Sequence, residues 1–233
     1  MKRVAILQSN YVPWKGYFDI IASVDEFIVY DCVQYTKNDW RNRNQIKTAQ
    51  GKAWLTVPVR QHSLEQVVDQ TPIADTRAFR KHWTTFQQSY ARAECIRYCT
   101  DALSHLFLGS VPTDNLSAAN LHFIRGLCAE LGITTTIRSA RNYNLEGDRN
   151  ERLVSLCRQA GATTYLSGPA ARSYLDAARF SAAGIAVEWM SYEYPEYPQP
   201  HPPFDHFVSI LDLIACTGSE ARLHLAHSRK SRP

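Results

Sequence analysis

Residues 4–31 read VAILQSNYVPWKGYFDIIASVDEFIVYD, and the fold follows from how that stretch is parsed. Val4, Ala5, Ile6 and Leu7 form a short apolar run of the kind seen in strands covered on both faces. Trp14, Tyr17, Phe18, Ile21 and Val24 then recur at helical spacing. Phe27, Ile28, Val29 and Tyr30 give a second strand that ends at Asp31. The unit is strand, loop, helix, strand. Its loop, Gln8 to Trp14, carries amides and aromatics that contribute little to a core.

The same rhythm returns later in the chain. Strands are predicted over 54–57, 134–137, 163–166 and 186–189. Helices are predicted over 149–160 and 171–183, stopped by Gly161 and Gly184. Phe79, Trp83, Phe86 and Tyr90 form a stripe on one helix, and Phe123, Ile124, Leu127, Cys128 and Leu131 line another. Helical spacing explains both stripes as core. Residues 60–76 read as irregular connection. Five prolines between Pro195 and Pro203 shape a loop before a last helix bearing Phe207, Ile210, Leu211 and Ile214. Alternation of this kind predicts an α/β fold: a mainly parallel sheet with flanking helices, Rossmann-like, with a proline-rich loop and a C-terminal helix.

The chain has 233 residues, 45% of them hydrophobic. That is enough for one α/β domain over 1–227, with residues 76–131 as the one segment that could form a small helical subdomain. The tail at 228–233 is basic and is expected to be disordered. Six cysteines without a CxxC pair or a leader segment point to a reducing, cytoplasmic setting. No run of eighteen apolar residues is present, so no membrane insertion is expected. A net charge of +4 is too small to prove a nucleic-acid partner. The eight histidines show no HExxH or Cys/His spacing, so no metal is expected. GxGxxG, GxxxxGK[ST] and GxSxG are all missing, which removes support for dinucleotide, P-loop and hydrolase chemistry.

Ligands of parallel sheets bind beyond the carboxyl ends of the strands. Here those ends are polar: Gln8 and Asn10, Asp31 and Gln34, Ser139 and Arg141, Ser167 and Gly168. Residues 34–47, QYTKNDWRNRNQIK, set four cations (Lys37, Arg41, Arg43, Lys47) against Asp39 alone, interleaved with Trp40, Asn42 and Asn44. Guanidinium groups bind phosphate and indole offers a stacking face, so the segment reads as a binding loop for a phosphate-bearing small molecule. A solvated basic loop is the alternative. Asp31 is a cap, an ion-pair partner, a metal ligand or a base, with orientation or charge pairing favoured. Ser167 and Gly168 begin a strand-to-helix turn suited to an anion, or to a plain helix cap.

The run from Gln8 to Val59 resembles the opening of the WbqC family. Similarity continues at Lys81-His82-Trp83, Asn150-Glu151-Arg152-Leu153, Tyr165-Leu166-Ser167-Gly168-Pro169, Tyr194-Pro195-Glu196-Tyr197-Pro198-Gln199 and Ser209-Ile210-Leu211-Asp212-Leu213. In two places the chain departs from the family pattern: Cys32 stands where a second acid is usual, and Gln8-Ser9-Asn10 where Gln-Pro-Asn is usual. Both count against a two-carboxylate mechanism. The resemblance implies a bacterial cytoplasmic protein of surface-polysaccharide or glycosylated-metabolite biosynthesis.

The leading expectation is a transferase that adds an acyl or aminoacyl group to the amine of a nucleotide-linked sugar. Asp31, Asn10 and Gln34 are the catalytic candidates. Lys37, Arg41, Arg43 and Lys47 would hold phosphates, and Trp14, Trp40 or Tyr11 would stack on base or sugar. Gln8, Asn42, Ser167 and Gly168 complete the binding set. The donor is an activated acyl group, either a thioester or an aminoacyl-tRNA, and no other cofactor is implied. The alternatives are an ATP-dependent nucleotidyl-transfer or ligase-type enzyme and a non-catalytic sugar-nucleotide-binding protein.

Overall fold

The computed structural model describes residues 1–225, and the basic tail expected at 228–233 lies outside them. A five-stranded parallel sheet runs in the order β5-β2-β1-β6-β7. Its strands are β1 (Arg3–Leu7), β2 (Glu26–Val29), β5 (Thr136–Ser139), β6 (Thr164–Ser167) and β7 (Ala186–Trp189). β1 pairs with β2 from Val4 opposite Glu26 to Leu7 opposite Val29, and with β6 at Arg3 opposite Thr164. The chain moves outward from β1 to β2 and β5, then crosses back past β1 to β6 and β7. Right-handed crossovers therefore put helices on both faces, and a topological switch point falls beside β1.

Strand alternation assigns the faces. Ala5, Phe27 and Val29 face one core with Tyr17, Phe18, Ile20 and Ile21 of α1 (Lys15–Ala22). Val4, Ile6 and Ile28 face the other, with Leu153, Leu156 and Cys157 of α5 (Arg149–Gln159) and Phe180 of α6 (Ala177–Ala182). Helices α2 (Arg77–Ser89), α3 (Ile96–Leu108), α4 (Leu116–Glu130) and α7 (Ile210–Thr217) add their apolar stripes to the first core. Phe79, Trp83, Phe86 and Tyr90 are all buried there, as helical spacing predicts. Truncating such an aromatic to alanine removes about 3–5 kcal/mol of stability.

The structure departs from the sequence reading in five places. The strand predicted at 54–57 lies outside the main sheet: it is β4 (Gly51–Thr56), paired antiparallel with β3 (Arg43–Thr48). β3 falls in the segment that the sequence predicts to be loop, because Ile46 is its single apolar residue. The helix predicted at 171–183 divides into a 3-10 turn, Pro169–Ser173, and the short α6. Phe207 precedes the last helix rather than belonging to it, and α3 was not anticipated.

Candidate functional site

The loop after β1 and the segment after β2 are tied together by Asp31. Its carboxylate accepts the Ser9 backbone N–H at 2.8 Å and the hydroxyl of Ser117 on α4. Burial raises its pKa above the usual carboxylate range, against the pull of Ser117, Ser9 and the Arg41 charge. Both oxygens are bonded inward, so the geometry gives Asp31 a positioning part. Asn120 of α4 adds a second tie, donating to Ser9 Oγ at 3.0 Å and to the Arg41 carbonyl at 2.8 Å. Arg41 donates to Asn10 Oδ1 and to the Ser9 carbonyl, and Tyr11 N–H bonds the Trp40 carbonyl at 3.0 Å.

The two segments close a cavity of about 190 Å³ lined by Asn10, Trp14, Trp40, Asn44 and Phe207. Trp14 packs against Phe207 at 5.5 Å and against Tyr192 at 5.1 Å. Gly16 is required behind it, because a Cβ there would lie 2.3 Å from the indole. Val12 adopts φ 34°, a left-handed conformation that β-branched residues rarely take. Asn44 imposes it by donating to the Tyr11 and Val12 carbonyls, both at 3.1 Å, and Ser209 by donating to Val12 at 2.7 Å. Strain of roughly 1–3 kcal/mol is thus held next to the cavity by a buried amide and a hydroxyl.

The remaining predicted residues are dispersed. Tyr11 has no exposed surface: its hydroxyl bonds His82 Nδ1 at 2.9 Å and its ring packs on Phe79 and Phe123, so it offers a ligand no face. Burial lowers the pKa of His82 to about 4 and keeps the ring neutral. Asn42 is buried and donates to the Val57 carbonyl at 2.9 Å. Lys47 is buried too, donating to Gln199 at 3.0 Å and to the Pro203 carbonyl, so it is not available to phosphate. Gln34 is exposed and its Nε2 donates to the Leu64 carbonyl at 2.6 Å. Lys37 is exposed, and Gln8 is half-buried with its carbonyl held by the Tyr17 hydroxyl at 3.0 Å. Arg43 stacks over Trp54 at 4.1 Å. Ser167 is buried, and a Cβ at Gly168 would lie 3.6 Å from the hydroxyl of Tyr192, whose ring packs on Trp14. The expected ring of four cations around one pocket is therefore not formed. Strand pleating sends Asn44 inward and Arg43 outward, and tertiary partners capture Arg41 and Lys47.

Sequence reasoning missed Phe207, which is 63% exposed although it walls the cavity. It also missed Lys15. This lysine is 2% exposed, with Nζ 2.8 Å from His206 Nδ1 and within 4.8–5.4 Å of the Tyr194, Tyr197 and Phe204 ring centres. Burial lowers its pKa to about 8, against the attraction of Asp212 and Asp205. Below it, Asp212 is buried and accepts from Tyr90 and Tyr197 at 2.6 Å each and from Gln199 at 2.7 Å. Lys15 and Asp212 were signalled by the likeness of their motifs to the WbqC family, and Phe207 only by its place in the apolar spacing of the last helix.

Aromatic walls can stack on the apolar face of a sugar or on a base, and a side-chain amide such as that of Asn10 can hydrogen-bond a polar edge. Among the described residues, no group of three or more His, Cys, Asp or Glu is placed to hold a metal ion, and no helix is long and apolar enough to cross a membrane. No solved structure matches the chain. It is 45% identical over 232 residues to "Uncharacterized protein Rv1507c" of Mycobacterium tuberculosis (strain ATCC 25618 / H37Rv), covering 99% of this chain and 100% of that relative. The model of the WbqC-like protein family matches residues 8–224. With that match covering the cavity, the proline-rich segment and every strand of the sheet except β1, the chain belongs to the WbqC-like protein family.

Proposed function

We propose that this protein transfers an acyl or aminoacyl group to the amine of a nucleotide-linked sugar. One observation carries the reading: the amide and aromatic segments after β1 and β2, together with Phe207, close one cavity between Trp14, Trp40, Phe207 and Asn10. A sugar ring stacks on the indoles while Asn10, braced by Arg41, reads a hydroxyl or amide. The acceptor nitrogen attacks the donor's carbonyl carbon and a C–N bond forms. The ammonium proton passes to water or buffer, and the thiol or ribose hydroxyl of the donor departs. An activated donor needs positioning more than a covalent enzyme intermediate.

The five lining residues include no acid or base, which favours a second reading: a non-catalytic carrier of sugar nucleotides. One experiment separates the two. The protein is incubated with nucleotide amino sugars and pooled acyl donors, with and without charged tRNA and ATP, and products are read by mass spectrometry. An acylated sugar nucleotide supports transfer. Tight binding without turnover across all donors supports the carrier.

A further inference from the structure

A cavity of about 190 Å³ accommodates a single ring, whereas small-molecule sites run about 300–1,000 Å³. A nucleotide-linked sugar must therefore extend beyond it. Next to it lies a cleft of about 440 Å³ between β4 and α2, lined by Trp54, Thr56, Asp75, Arg77, Lys81 and Thr85 among others. The partition between the two spaces is a pair of indoles. Trp40 lines the first and Trp54 the second, with ring centres 5.4 Å apart.

The cleft has the chemistry that the cavity lacks. Trp54 is 42% exposed on the outward face of the hairpin, with the Arg43 guanidinium over its ring at 4.1 Å. Arg43 is held there by bonds to the Asn38 carbonyl at 2.5 Å and to Asn38 Oδ1 at 3.3 Å, so this shelf is ordered before any ligand arrives. On the opposite wall Asp75 takes Arg77 in a two-point pair at 2.9 and 3.0 Å. Lys81 makes no ion pair among the described residues, and the threonines at 56 and 85 present hydroxyls to the same space.

The geometry points to this cleft as the subsite for the nucleoside diphosphate half of the ligand, with the base against the shelf made by Trp54 and the Arg43 guanidinium stacked on it, the phosphates toward Lys81, and the sugar across the indole partition in the Asn10 cavity. This inference rests on the sugar-nucleotide reading above and adds to it where the phosphates lie.

Binding of UDP, dTDP and GDP, and separately of the free amino sugars, is measured by calorimetry for the wild type, Lys81→Glu, Trp54→Ala and the control Arg158→Glu on the far sheet face. Thermal melting verifies that each variant folds. At least one nucleoside diphosphate should bind the wild type. Lys81→Glu and Trp54→Ala should each weaken that binding by about tenfold or more, a difference of about 1.4 kcal/mol, and Arg158→Glu should not. Affinity for the free sugar should stay within about twofold in Lys81→Glu and Arg158→Glu, since neither residue lines the Asn10 cavity. Failure of every diphosphate to bind the wild type overturns the subsite, as does unchanged affinity in Lys81→Glu with the fold intact. If acyl transfer is observed and the cleft variants are unaffected, the subsite falls while the proposed activity stands. If diphosphate binding depends on Lys81 and Trp54 but no donor is turned over, the subsite stands and the transfer reading falls.

Discussion

Asp31 accepts the backbone N–H of Ser9 at 2.8 Å, so the end of β2 fixes the shape of the loop that leaves β1. The second oxygen of the same carboxylate takes the Ser117 hydroxyl from α4. Three elements thereby share one buried acceptor, and the cavity next to Asn10 inherits its rigidity from that bond set.

Asp31→Asn leaves one of those two donors facing an NH₂ group. An unsatisfied buried donor is expected to lower the unfolding free energy by about 1–3 kcal/mol. Urea denaturation of the variant reads the loss as a lower midpoint at unchanged slope. A midpoint equal to that of the wild type would remove Asp31 from the positioning part given to it.

Two neighbours in the basic segment should separate by mechanism. Asn42→Ala deletes a buried donor to the Val57 carbonyl and should lower stability by about 1–2 kcal/mol. Trp40→Ala, at a side chain 41% exposed, should change stability less and weaken ligand binding more. Paired melting and binding measurements decide it, and the reverse ordering would move the site away from Trp40.

Gly16→Ala sets helix propensity against a wall of the cavity. Alanine favours the helix by up to about 1 kcal/mol. Its Cβ meets the Trp14 indole at 2.3 Å, which forces the ring aside. The expected result is a melting temperature near that of the wild type together with reduced ligand affinity and a shifted tryptophan emission. Unchanged affinity would show that the indole wall is not used.

Lys15 gives a pH signature. In the unfolded chain the lysine holds its proton up to the ordinary 10.5, and in the folded chain only up to about 8. Between those values the unfolded chain binds more protons, so this group's contribution to stability rises with pH, and below about 8 its full penalty applies. Lys15→Met should therefore gain on the wild type at pH 7 by roughly 2–3 kcal/mol, and the gain should shrink toward pH 10.5. Comparing the two proteins isolates Lys15 from Lys47, which acts in the same direction, and from the buried thiols, which act in the opposite one. A difference independent of pH would mean that Lys15 titrates normally.

The apolar runs at Val4–Leu7 and Phe27–Val29 were legible as parallel strands because burial on both faces demands continuous hydrophobic residues. β3 was not legible, since a strand covered on one side and held by a hairpin partner needs few apolar residues, and Ile46 alone supplied them. For the site, composition identified the segments but not the roles. Trp14, Trp40 and Asn10 meet around the cavity, whereas Tyr11 packs into the core and Lys47 is buried on Gln199 and the Pro203 carbonyl.

By itself the sequence determined the strand-and-helix rhythm, the parallel sheet and the two polar segments that meet beyond it, because periodicity and turn residues are local properties. Tertiary structure alone decided which aromatics wall the cavity, that Phe207 arrives from nearly two hundred residues away to join them, and that Asp31, Asn42 and Lys47 are bonded inward. Those outcomes depend on which buried donor finds which acceptor across the fold, a long-range matching that no local pattern records.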